Sequence, residues 1–268
     1  MAGNTSRPLV NFLVKQPVLS VMTKRHADAE GQINSALNQW VKSAEGVPVR
    51  RIYCVGRNYR DHAIEMGSDP DREPPFFFHK PGDAVVDTYT GKEDGRMMRS
   101  IPYPSMTKNL HHEVELVVVI QKGGLNIPED LANDHIFGYA VGCDLTRRDL
   151  QNEAKKIGRP WCASKGFDFS APCGPVVPKS DFEFVPSATS ITLDVNGEEK
   201  QNSTLDKLTW SIPETISILS EYYCLQPGDL IFTGTPAGVG PLVTGDLVTA
   251  KCGSLPTCQF KIGPEAYR

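Results

Sequence analysis

The sequence carries no membrane-spanning, disulfide-framework or nucleotide-loop signature. No apolar run in its 268 residues approaches the ~20 that a membrane-spanning helix needs, so no membrane partner is expected. Seven cysteines stand at 54, 143, 162, 173, 224, 252 and 258, an odd and scattered set without a Cys-x-x-Cys pair. A zinc ribbon or a disulfide framework is therefore poorly supported, and reduced cysteines used as small core residues fit better. No G-x-S-x-G stretch occurs, which disfavours a serine hydrolase of the α/β type. "GTPAGVGP", 234–241, has no G-K-[ST] ending, and no helix is expected to follow it, so a nucleotide site there is disfavoured. With a net charge of -4 and no clustered Lys and Arg, no nucleic-acid partner is expected.

What remains is an ordinary globular composition, 40% hydrophobic and 22% charged, long enough for a sizeable core. The first 27 residues hold Arg7, Lys15, Lys24 and Arg25 but no acid, mildly like a mitochondrial transit peptide. "LVNFLVKQPVLSVMT" within them is rich in β-formers and reads instead as a strand pair. The expected compartment is cytoplasmic, with a mitochondrial address as the alternative. Residues 29–46 read as a helix, with Ile33, Leu37, Trp40 and Val41 on one face and Gly46 past its end. A strand over 52–55 runs into a glycine turn, and "NYRDHAIEM" reads as a short helix stopped by Gly67. Proline and glycine make 68–104 read as a long irregular loop, of the kind used as a lid. Further on come a strand in "IFGYAVGCDLT", a polar helix in "RRDLQNEAKKIG" and a hairpin turning at Asn196-Gly197. A helix follows with Ser211 and Glu214 at capping-box spacing, then short strands to the end. Strands dominate, which points to one β-rich α+β domain.

Three acids stand where strands should be apolar. In "HHEVELVVVI", 111–120, alternation puts Val114, Leu116, Val118 and Ile120 on one face and Glu113, Glu115, Val117 and Val119 on the other. Asp144 ends the next strand on a face with Ala140 and Gly142. Adjacent carboxylates in a dry place repel one another, and an all-oxygen donor set suits Mg2+, Mn2+ or Ca2+. Spacing alone leaves a second outcome open, in which the acids end in solvent or pair with Arg and Lys. His62 and Glu65, three apart on a short helix, share a face. That spacing suits a histidine base oriented by a carboxylate, and equally a surface pair of no consequence. Lys165 in "CASKGFDFS" fits a half-buried cation near an anionic ligand, or a snorkelling surface lysine.

Taken together, "YCVGRNYRDHAIEMG", "NLHHEVELVVVI", "GYAVGCDLTRRDLQ", "KGFD" and "GDLIFTGTPAGVGP" resemble the fumarylacetoacetate hydrolase family, in the order that family uses, over residues 49–262. The closer similarity is to its acylpyruvate hydrolase branch, and "MGSDPDREPPFFFHKPGDAVV" resembles the fumarylpyruvate hydrolases. The resemblance implies a mixed β-sandwich roll with short helices, assembled as a homodimer. It divides the chain into an N-terminal strand-and-helix extension, 1–48, and a catalytic domain, 49–268. It implies one divalent cation, Mg2+ or Mn2+, held by Glu113, Glu115 and Asp144. The implied catalytic residues are His62, Glu65 and Lys165, with Gln151 and Thr235 contacting substrate. Arg57 and Asn58, in "GRNY", receive no role. The implied reaction is hydrolysis of the C–C bond of a 2,4-diketo acid to pyruvate and a carboxylic acid, fumarate first. Oxaloacetate decarboxylation, hydratase or isomerase chemistry on a related keto acid, and an inactive metal-binding scaffold are the alternatives.

Overall fold

The computed structural model describes residues 16–24, 40–65, 67, 73–89 and 98–265. Its central sheet runs, edge to edge, Phe76–Lys80, Ile52–Gly56, Leu230–Phe232, Val114–Ile120, Ile136–Cys143, Ala171–Cys173 and Val85–Asp87. Val177–Pro178 also pairs with Ile136–Cys143. The sheet is mixed: Leu230–Phe232 is parallel to Ile52–Gly56 and antiparallel to Val114–Ile120. A five-stranded sheet follows the order Glu198–Thr204, Ser190–Val195, Leu247–Cys252, Cys258–Glu265, Ser100–Tyr103. A three-stranded sheet joins Thr146–Arg147, Leu110–His112 and Gly240–Leu242.

The expected alternation along "VELVVVI" is visible in what each face meets. Val114, Leu116, Val118 and Ile120 pack in a core with Ile191, Leu193, Val248, Ala250 and Phe260 of the five-stranded sheet. Val117 and Val119 pack on the other side with Ile52, Leu230 and Phe232, and with Leu19 and Val21 from the N-terminal strand. All seven residues of Val114–Ile120 are buried, so each apolar side chain contributes roughly 1.5–3 kcal/mol. Leu116→Ala would cost roughly 2–5 kcal/mol through lost contacts and a cavity. All seven cysteines are free, and five of them are buried core residues. Among the described residues no helix is long and apolar enough to cross a membrane.

Three expectations need correction. Trp40–Pro48, the C-terminal part of the expected helix, is a strand paired antiparallel with Val18–Lys24, while 25–39 lies outside the described residues. Pairing across the chain overrode the helical spacing here. Gly46 serves this close approach, since a Cβ there would meet Leu19 O at 2.9 Å. The N-terminal strand itself pairs with 40–48, and the first half of the expected strand pair, 9–15, lies outside the described residues. The third correction concerns 68–104, which holds Phe76–Lys80, Val85–Asp87 and Ser100–Tyr103, each paired into a sheet. Pro74, Pro75 and Pro81 flank the first strand and interrupt no ladder.

Other elements form as their sequences suggest. Asn196 and Gly197 both have positive φ, 55° and 83°, as a type I′ hairpin requires. Ser211 and Glu214 form a reciprocal capping box at the start of the helix Ile212–Tyr222. The polar helix spans Arg148–Lys156, with Gly158 beyond it at φ 66°.

Candidate active site

The stretch 111–120 is two strands, not one. Leu110–His112 belongs to the three-stranded sheet and Val114–Ile120 to the central one, so Glu113 lies at their junction. On the neighbouring strand, Glu115 faces Gly142 and Val114 faces Cys143, which brings Asp144 beside Glu113. The Asp144 N–H donates to Glu113 O at 2.8 Å. Glu113, Glu115 and Asp144 are buried at 4%, 2% and 0% exposure, with one carboxylate oxygen from each lying within 4.8 Å of the others.

Three buried cations surround this cluster. Lys165 Nζ donates to Glu113 Oε2 and to Asp144 Oδ2, both at 2.7 Å. Arg148 forms a short ion pair with Glu113. Lys80 Nζ lies 2.7 Å from Asp144 Oδ1, but at an angle outside hydrogen-bond geometry, so that oxygen keeps acceptor capacity. The two glutamates respond in opposite directions. Burial alone would raise Glu113, yet Lys165 and Arg148 hold it far below the usual carboxylate range. Glu115 is pushed well up, first by burial and then by Asp144 and Glu113. Its Oε2 accepts the Gly234 N–H at 2.7 Å, and it makes no ion pair among the described residues. Lys165 is raised: burial opposes its charge, but Asp144 and Glu113 outweigh it.

These residues fit a hard divalent cation. The donors are all oxygen, and Glu115 is a buried carboxyl that only further positive charge would hold ionised. His111 and His112 take no part. His111 contacts Asn109 and Arg148, and burial, then Arg148, push it down to about 4. His112 contacts Gln201 Oε1 at 3.0 Å.

The second half of the site stands on the short helix Arg60–Glu65. His62 Nδ1 lies 3.0 Å from Glu65 Oε2, and the Gly238 N–H donates to Glu65 Oε1 at 3.1 Å. Burial raises the Glu65 carboxyl, but His62 and the Gly238 N–H outweigh it and the net shift is downward. Gly238 has φ 95°, and a Cβ there would sit 2.1 Å from Lys200 O, so only glycine brings this N–H to Glu65. The one loop therefore clasps both halves, Glu115 through Gly234 and Glu65 through Gly238.

One chamber is lined by His62, Glu113, Glu115, Gln151, Lys165 and Thr235. Glu65 reaches it through His62, and Asp144 through Lys165. All eight residues singled out in the sequence thus converge. Lys165, read as half-buried, is 2% exposed. Four supporting residues escaped the sequence reading. Lys80 has Phe76 and Phe78 on its own strand face, and its burial at 1% could have been suspected from that alternation. Arg148 donates to Gln151 Oε1, and their i,i+3 spacing was a usable signal. Gln201 accepts from the Val114 N–H and donates to Thr235 Oγ1, and nothing local marks it. Asn58 of "GRNY" is a clasp: its side chain donates to Thr233 O at 2.8 Å and accepts the Trp210 N–H at 2.7 Å.

The chain is similar to several known proteins. A family model described as fumarylacetoacetate (FAA) hydrolase C-terminal matches residues 51–263. The crystal structure of fumarylpyruvate hydrolase from Pseudomonas aeruginosa, in complex with Mn2+ and pyruvate, is 49% identical with a TM-score of 0.79, covering 83% of this chain and 93% of that one. A fumarylpyruvate hydrolase from Ralstonia is 42% identical over 201 residues, 74% of this chain and 99% of the relative. A mitochondrial oxaloacetate tautomerase from Mus musculus is 41% identical over 218 residues, 81% of this chain and 94% of the relative.

Proposed function

The chain belongs to the fumarylacetoacetate hydrolase family, and from that premise we propose that it hydrolyses the C–C bond of an acylpyruvate, with fumarylpyruvate the first substrate to test. The observation that carries the reading is a histidine–carboxylate pair opening on the same chamber as the three-carboxylate cluster. With Nδ1–H donating to Glu65, the neutral His62 ring presents Nε2 as a proton acceptor. His62 Nε2 takes a proton from water as the water oxygen bonds to the distal carbonyl carbon. The bond between that carbon and the pyruvyl C3 then breaks, its electron pair passing to the keto-acid half. C3 regains a proton from His62, giving pyruvate and a carboxylic acid. A divalent cation held by Glu113, Glu115 and Asp144 would supply positive charge to the keto-acid end. Lys165 and Arg148 keep that end of the chamber positive, and Gln151 and Thr235 offer polar contacts for orienting the substrate.

Oxaloacetate tautomerisation is the second reading, favoured by relatives such as the mouse enzyme. It moves a proton between carbon and oxygen and adds no water, so it needs His62 but no hydrolytic step. A panel of fumarylpyruvate, acetylpyruvate and oxaloacetate with Mg2+ or Mn2+ separates the two. Loss of diketo-acid absorbance matched by equimolar pyruvate supports hydrolysis. Rapid enol–keto conversion of oxaloacetate without diketo-acid cleavage would replace it with the tautomerase reading.

A further inference from the structure

Arg57 is the residue of "GRNY" that the chemistry above leaves unused, and its surroundings are unusual. It sits at φ 53°, a left-handed conformation that side chains other than glycine rarely adopt. Its Nε is buried without a partner, and its guanidinium lies 5.3 Å over the Phe76 ring. Phe76 and Phe78 both meet Trp161 edge-on, at 5.4 and 5.7 Å. Lys155 Nζ stands 5.3 Å over the Trp161 ring, with no hydrogen bond or ion pair among the described residues. Among the described residues the one acid paired with Arg57 is Glu73, at a loose 3.9 Å on a carboxylate 59% exposed. The Lys155 ammonium is pushed down to about 8, by burial first and then by Arg148 and Arg57, which marks positive charge without compensation. The inner chamber is lined by Lys155, and an outer one of about 580 Å³ beside it by Phe76. The two share Arg57, Phe78, Trp161 and Lys165 as walls, and Arg159 adds a further cation outside.

An aromatic floor flanked by one loosely paired cation, Arg57, and by Lys155 suits an arm that is flat and apolar along its length and anionic at its tip. We propose that Arg57 and Lys155 form a second anion subsite that receives a terminal carboxylate on the acyl arm, selecting diketo acids charged at both ends over those with a plain alkyl arm. Arg57 supplies a planar fork and Lys155 a point charge, while Phe76, Phe78 and Trp161 cover the connecting carbons. The direction of the arm rests on the hydrolase reading, with the keto-acid end at the carboxylate cluster.

The test is a ratio. Wild-type protein, Lys155→Met and Arg57→Gln are assayed with Mn2+ on fumarylpyruvate and acetylpyruvate. The expected result is that kcat/KM for fumarylpyruvate relative to acetylpyruvate falls about tenfold or more in each variant, mostly through KM, and recovers in Lys155→Arg. An equal loss on both substrates, or no change in the ratio, overturns the subsite. Calorimetry supplies an arm independent of turnover. Fumarate and crotonate differ at one end by a carboxylate against a methyl, so wild type should bind fumarate more tightly and Lys155→Met should lose the preference. Equal binding of the two acids by wild type overturns the subsite. Absence of diketo-acid cleavage with the fumarate preference intact would count against the hydrolase reading and for the subsite.

Discussion

The two halves of the site are built in opposite ways. Glu113 and Glu115 flank the start of a central-sheet strand and Asp144 ends its neighbour, so sheet register fixes their spacing in a dry interior. His62 and Glu65 stand on a six-residue helix, with the Glu65 side chain 32% exposed and steadied by one backbone N–H from a distant loop. Groups that hold an ion need fixed distances and a low-dielectric surround, and a rigid sheet supplies both. His62 itself is buried at 6% exposure and meets water only through the chamber it lines, while its partner Glu65 stands at the rim. The acidic half also carries its own cations, whereas the His62 half depends on a single hydrogen-bonded carboxylate.

The largest effect expected from breaking this contrast is on metal dependence. Glu115→Gln should lower Mn2+-dependent kcat by about a thousandfold or more and abolish tight Mn2+ binding in calorimetry. Retained tight binding would remove Glu115 from the cation site. Next comes the metal-free protein, where two acids of the same cluster should behave oppositely. Asp144→Asn strips charge from the contacts of Lys80 and Lys165 and should cost about 3–5 kcal/mol in urea unfolding. Glu115→Gln should instead stabilise. A carboxyl whose folded pKa is raised contributes stability below its unfolded value of about 4.3, and loses it as pH rises toward the folded value. The Glu115→Gln variant should therefore gain on wild type as pH rises above about 4.3 toward the raised folded value. Glu113 has the opposite sign: its lowered carboxyl contributes stability above the usual carboxylate range and loses it only as pH falls, on the acid side of this change.

The rim should show smaller, purely kinetic effects. His62→Ala should reduce hydrolysis about a hundredfold or more while Mn2+ affinity stays within twofold of wild type. Full activity in this variant would end its assignment as the base. Gly238→Ala, which forces the loop away from Lys200 and Glu65, should cost roughly tenfold in kcat, with Glu65→Gln similar and the double variant less than additive.

Periods of two and of three to four residues put Glu113 with Glu115 and His62 with Glu65 on shared faces, but leave solvent-exposed acids and a surface pair equally open. It is the resemblance of the assembled motifs that singles out all eight residues, Lys165, Gln151 and Thr235 included. What could not be read depends on pairing across the chain. Asp144 meets Glu113 only because Cys143 lies opposite Val114, a register no local pattern encodes. Gly238 reaches Glu65 across 173 residues and Gln201 reaches Val114 across 87, without a local trace of either contact. The same blindness misassigned Trp40–Pro48, whose spacing suits a helix until a partner strand claims it.

The parallel seam between Ile52–Gly56 and Leu230–Phe232 has a consequence in time. Phe76–Lys80 can pair with the strand leading to His62 early, but most of the chain must be synthesised before its parallel neighbour arrives, so this part of the sheet waits on the ribosome. At about 5–20 residues per second, the interval from one strand to the other is on the order of ten seconds or more. Until then the first strand offers an open edge, and non-local closures of this kind make for slow folding. Catalytic competence would thus emerge late and abruptly, when the 230–240 segment docks and delivers two glycine amides to carboxylates more than a hundred residues behind it. Truncation before that segment would leave the acids and the histidine present in the chain and the reaction absent.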